Sequence, residues 1–230
     1  ASEVTHTYAS AGEYTIKING TLRGFKFDNG GDKLKIKDVS NWGVIQFDVD
    51  SIFRGCRNLT CSATDVVTAI AGNISKVFFD CRNFNGAIGN WDVSNVTNVE
   101  SMLQNCQNFN QDLSQWDVSN ITRFSKLFRS MSFNQDISGW DVSSALDMPL
   151  MFNNNPQFNQ DISGWDVSNV TNMQSMFSGA TAFDQNIGSW DIANVTNFNN
   201  FMLGITLSTA NYDALLIGWE AQNVQDDITI

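Results

Sequence analysis

The chain has 230 residues, of which 42% are hydrophobic, 13 are Lys or Arg and 24 are Asp or Glu, giving a net charge of −11. That composition buries a core and excludes a disordered chain. It argues against nucleic-acid binding, which needs a basic footprint. No apolar run approaches the roughly 18 residues of a membrane-spanning helix. Residue 1 is Ala and no signal peptide is recognisable, so the sequence reads as a piece of something longer.

Residues 3–37 alternate β-formers, Tyr14 to Asn19, Phe25 to Phe27 and Leu34 to Ile36, around the Gly-containing turns Asn19-Gly20 and Asn29-Gly30-Gly31. They predict a β-meander over 1–37 that caps one edge. From 38 to 207 the chain repeats. Trp91, Trp116, Trp140, Trp165 and Trp190 recur every 24–25 residues, each followed by Asp, and a Phe column runs through Phe84, Phe109, Phe133, Phe158 and Phe183. A period in this range predicts stacked coils. Ile162, Trp165 and Val167 have the spacing of a repeat strand. Val170, Met173, Met176 and Phe177 have helical spacing, with Ser168-Asn169 as cap. The expected fold is an α/β solenoid of leucine-rich-repeat type, with about seven coils. Residues 208–230 predict a helical cap, begun by Ser208 or Thr209, with the three parts forming one continuous domain.

The motif W-D-V-S-N-V-T-N-M-x-x-M-F, preceded by F-N-Q-D-I-S, resembles the BspA-like leucine-rich-repeat surface proteins. Gly12 to Gly43 and Leu207 to Trp219 resemble the segments that flank such repeats. The resemblance implies an extracellular or bacterial cell-surface protein, often a module of a large adhesin, with no catalytic residues to carry over. Two coils depart from the pattern: residues 59–67 lack Trp, and Ser144-Ala145-Leu146 replaces N-V-T.

Each repeated column admits two readings. Trp91, Trp116, Trp140, Trp165 and Trp190 form either a buried aromatic ladder or an exposed binding or dimer surface. Asp92, Asp117, Asp141, Asp166 and Asp191 would stand in register about 4.8 Å apart. They need either backbone hydrogen bonds from the following turn or Ca²⁺ between coils, with Asp112, Asp136 and Asp161 as further ligands. Asn95, Asn120, Asn169 and Asn194 predict an internal amide ladder serving turn backbone. Cys56, Cys81 and Cys106 share a column as buried thiols, or pair with Cys61 in an oxidising compartment. The single His, the absence of C-x-x-C and G-x-S-x-G motifs, and acids copied in every coil argue against an enzyme. Three functions remain. One is an adhesion module that binds a protein or glycan through its repeat face, with no membrane insertion. Another is Ca²⁺-assisted homodimerisation, and the third is a spacer.

Overall fold

The computed structural model describes residues 9–18, 25–47, 50–67 and 70–222. Among them, regular secondary structure is sparse. Strand β1 (Asp38–Val39) pairs in parallel with β2 (Thr60–Cys61), β3 (Gly72–Asn73) pairs in parallel with β4 (Val96–Asn98), and one helix, α1, spans Thr209–Glu220. Beyond β4 the pairing continues as single parallel bridges, Asn98 to Arg123, Asp147, Asn172 and Asn197 in turn. The chain therefore advances one coil every 24–25 residues, and each coil lies parallel to the next.

What joins the coils is a segment that follows each bridge. Its alternate backbone N–H groups donate to the next coil, as in Leu150 to Gln174 O (2.8 Å), Phe152 to Met176 O (2.9 Å) and Asn154 to Ser178 O (2.8 Å). The intervening N–H groups close turns within the coil, as in Met151 to Met148 O, Asn153 to Leu150 O and Asn155 to Phe152 O. Every backbone donor from Leu150 to Asn155 is thereby satisfied. The alternation needs left-handed backbone at two positions four residues apart. It recurs at Ser51/Gly55, Lys76/Asp80, Ser101/Asn105, Lys126/Ser130, Leu150/Asn154, Ser175/Gly179 and Asn200/Gly204, all with φ between 52° and 79°. Ser, Asn, Asp and Gly tolerate this region best and fill eleven of the fourteen places. These seven pairs mark seven coils.

The segment from Val170 to Phe177, whose spacing predicts a helix, is this turn ribbon. The inter-coil ladder runs through it rather than through Ile162 to Val167. The helical spacing was real, because one side of the ribbon is buried at Val170, Met173, Met176 and Phe177. The period arises from three-residue turns, however, not from an α-helix. Of the expected N-terminal meander, residues 1–8 and 19–24 lie outside the described residues, and residues 9–18 show bends and irregular backbone. Residues 25–35 show turns rather than strands, and Phe27 and Asn29 donate to Ile52 O and Arg54 O of the first coil.

The interior is a set of aligned rings. Phe84, Phe109 and Phe133 stack coil to coil at 5.9 and 6.4 Å, and Phe158 stacks on Phe183 at 6.1 Å. A second column stacks face to face on the first, with Phe152 on Phe158 at 3.8 Å and planes 13° apart and Phe177 on Phe183 at 4.0 Å and 15°. No coil could bury this stripe alone; the neighbouring coil does so.

Candidate functional site

The Trp column is core, which corrects the reading of Trp91, Trp116, Trp140, Trp165 and Trp190 as a binding or dimer surface. All five are between 1% and 4% exposed. Trp116, Trp140 and Trp165 stack at 6.3 and 6.4 Å with planes 5° apart. Four of the five indoles also satisfy their polar edge, because Nε1 donates to a carbonyl of the preceding coil: Trp116 to Ile88 O, Trp140 to Leu113 O, Trp165 to Ile137 O and Trp190 to Ile162 O, at 2.9–3.1 Å. Trp91 alone of the five lacks this bond. Its partner would come from the shortened, Trp-less stretch of residues 59–67.

The Asp column does point outward, and its charge is met by backbone. The Oδ1 atoms of Asp92, Asp117, Asp141, Asp166 and Asp191 accept the N–H two residues on, from Ser94, Ser119, Ser143, Ser168 and Ala193, at 3.0–3.1 Å. Ser94, Ser119 and Ser168 add hydroxyl donors at 2.6–2.7 Å. Asp112, Asp136 and Asp161 do the same with Ser114, Ser138 and Ser163. Among the described residues, no three Asp, Glu, His or Cys come together that could hold a metal ion. The Ca²⁺ assignment for the first column is corrected accordingly: one oxygen of each carboxylate is committed to its own turn, and no other acid joins it.

These bonds lower the carboxyl pKa values. The Ser94, Ser143 and Ser168 hydroxyls, then the backbone, hold Asp92, Asp141 and Asp166 below the usual range. For Asp112, Asp136 and Asp161 the backbone N–H is the larger cause. A carboxyl that titrates lower when folded contributes stability above its unfolded pKa, near 4, and loses it as pH falls through the folded value. Melting temperature should therefore decline below about pH 4. It should be unchanged between Ca²⁺ and EDTA at neutral pH, and so should the mass by light scattering. A melting temperature that drops in EDTA would show cation sites instead.

The remaining polar columns tie coils together. Asn120, Asn169 and Asn194 donate Nδ2 to Ser94 O, Ser143 O and Ser168 O at 2.8–2.9 Å, but from exposed positions rather than from inside. A column that spacing did not single out is stronger. The side-chain oxygens of Asn85, Asn110, Asn134 and Asn159 each accept the backbone N–H one coil on, from Asn110, Asn134, Asn159 and Asp184, at 2.9–3.1 Å. Its signal was the Asn of F-N-Q-D, one column from the Phe ladder.

The four cysteines are free thiols. Cys81 and Cys106 donate to Phe53 O and Phe78 O at 2.9 Å, and burial pushes Cys56 up to about 12 and raises the other three. A thiol reagent should label Cys61, which is half-buried, in the native state, and all four only after denaturation. Rapid native labelling of Cys81 would contradict this packing.

The outward side of the turn ribbon carries the ionic contacts. Buried Asp80 accepts from Arg57 Nε at 2.7 Å and from Arg82 Nε at 2.9 Å. Two coils on, Arg123 and Lys126 lie 4.0 and 3.8 Å from Asp147 and Glu100, and burial raises the Asp147 carboxyl against the pull of Arg123. A depression lined by Gln107, Ser130, Met131, Ser132, Asn154 and Pro156 holds no acid or base to activate a serine.

Residues 47–151, and again 111–215, match a family model described as Mycoplasma protein of unknown function, DUF285. The chain belongs to this family. The two matches together run from the first coil into α1, so the DUF285 pattern is the repeat itself. It fits the resemblance to BspA-like surface proteins at the level of a repeat family, without a named relative. No curated protein and no solved structure matches this DUF285 chain. Among its described residues, no helix is long and apolar enough to cross a membrane.

Proposed function

We propose that the chain is a non-enzymatic recognition module of a surface protein, built as a solenoid of leucine-rich-repeat type. It holds a protein or glycan against the outer face of its coils. One observation carries this reading: the outward polar columns are in register and immobilised. Thr122 and Thr196 donate Oγ1 to Thr97 O and Thr171 O at 3.2 and 3.0 Å. The neighbouring Asn98, Asn172 and Asn197 accept the N–H two residues on, at 2.8–3.1 Å. A surface whose rotamers are already fixed loses little entropy on binding. The acids are copied coil by coil and met by their own turns, which suits display rather than acid–base chemistry. The test is a panel of immobilised neutral glycans, acidic glycans and matrix proteins probed with the whole chain. Saturable binding to at least one is expected, and a flat response across the panel at micromolar protein removes the reading.

A further inference from the structure

The charges of the coils are sorted by segment. Between residues 50 and 207 there are seven Lys and Arg, and all seven lie on the turn ribbon. The first coil carries Arg54 and Arg57, the second Lys76 and Arg82, and the fourth Arg123, Lys126 and Arg129. Only Asp50, Asp80, Glu100 and Asp147 accompany them there. The other ten acids of that range, Asp65, Asp184 and the two Asp columns, lie outside the ribbon with no cation among them. A chain of net charge −11 thus keeps one cationic strip.

Within the strip, Arg57 and Arg82 are prepared for a ligand. They stand one coil apart, at roughly 4.8 Å. Asp80 lies between them with its side chain 8% exposed, while the arginines are 51% and 45% exposed. Each guanidinium spends Nε on Asp80, and no other acceptor among the described residues engages either one. Their remaining N–H donors have no acceptor among the described residues, and a guanidinium offers such donors in a fork that suits carboxylate or sulfate. The pair keeps a net positive charge after Asp80 is counted.

We propose that Arg57 and Arg82, oriented by Asp80, form a site for the carboxylate or sulfate groups of a linear acidic polysaccharide. The polymer runs obliquely across the ribbon to Arg123 and Lys126, which lie nearer its bridge end. This rests on the recognition reading above and names its ligand class. A linear polymer fits because the second cationic group lies two coils on, about 10 Å along the axis at that spacing, and is displaced across the ribbon toward its bridge end, a separation that an extended chain spans. A glycan fits because the strip offers donors without an apolar pocket, and its ring at Phe79 is covered by Arg54 at 5.5 Å. A single-stranded nucleic acid would need rings free for stacking.

The test uses the whole chain against immobilised heparin, polygalacturonate and neutral dextran, over a range of salt. The triple variant Arg57→Gln/Asp80→Asn/Arg82→Gln copies the Asn105 and Gln107 of the third coil, so the fold tolerates it. Its affinity for the acidic polymers should fall about tenfold or more, with a shallower salt dependence. Its melting temperature should stay close to that of the parent. Arg123→Asn/Lys126→Ser, which copies Asn98 and Ser101, should weaken polymer binding while leaving inorganic sulfate unaffected. Equal polymer binding by parent and triple variant overturns the site. Inorganic sulfate binding as tightly as the polymer overturns the glycan assignment. Binding of dextran or a matrix protein without the acidic polymers defeats this inference alone, and no binding to anything defeats the recognition reading as well.

Discussion

Trp165→Ala is expected to cost about 3–5 kcal/mol in urea unfolding, the range for deleting a large buried aromatic. The ring stacks on Trp140 and contacts Phe152, and its Nε1 donates to Ile137 O, which also accepts the Trp140 N–H. Truncation removes all three interactions and leaves a cavity spanning two coils. Each coil is stabilised by contacts with its neighbours, so the loss weakens both of its interfaces. Trp165→Phe separates the causes. It keeps most of the stacking and removes one of the two hydrogen bonds to Ile137 O, which still accepts the Trp140 N–H, so it should cost about 0.5–1.5 kcal/mol. Trp91→Phe is the control, because Trp91 Nε1 has no acceptor. That change should cost clearly less than Trp165→Phe. Equal costs at the two positions would show that the indole bonds contribute nothing and that packing alone holds the ladder.

The same two residues show what the sequence could reveal. The period, the alignment of Trp with Phe and the replacement of the regular ends by caps follow from identities recurring every 24–25 residues, so stacking was legible. Which way Trp165 points was not. In the L-x-x-L-x-L pattern an inward Trp and an outward one have the same spacing, and only the carbonyl 28 residues back decides. The helix expected at Val170 to Phe177 failed for a related reason. A burial period near three is common to an α-helix and to a ribbon of three-residue turns. The distinguishing clue was local: Ser175 and Gly179, like Ser101 and Asn105, are residues that tolerate positive φ, four apart, within what would otherwise be a helix. The Arg57–Asp80–Arg82 contact was invisible for a different reason. It joins two columns of adjacent coils, and a repeat read as columns hides whatever happens only once.

The end of the stack should respond as strongly as its middle. Trp219→Ala in α1 is expected to cost about 3–5 kcal/mol and to start unfolding at the C-terminal coils. Trp219 continues the ladder from a different element: its Nε1 donates to Ile187 O at 3.2 Å, and its ring lies over Phe198 and Phe201 at 5.4 and 6.0 Å. The helix thus supplies what an eighth coil would have supplied. Its start is held by Asp184, which stands where earlier coils have Asn. The Asp184 carboxylate accepts the Ser208 N–H at 2.8 Å and the Asn211 amide at 2.8 Å, and the backbone N–H of Ser208 is the larger cause of its lowered pKa. Its far end is held by proximity, since a Cβ on Gly218 would overlap the Gly188 carbonyl. Gly218→Val should therefore lift the helix off the last coil even with Trp219 intact. Ile217→Ala, at a residue 71% exposed, should change little. Hydrogen exchange would read the order of opening: in Trp219→Ala and Gly218→Val the amides of Phe201 and Leu203 should lose protection before those of Phe152. If protection fell uniformly along the stack, the coils would unfold as one unit and α1 would not be a separable lock on its end.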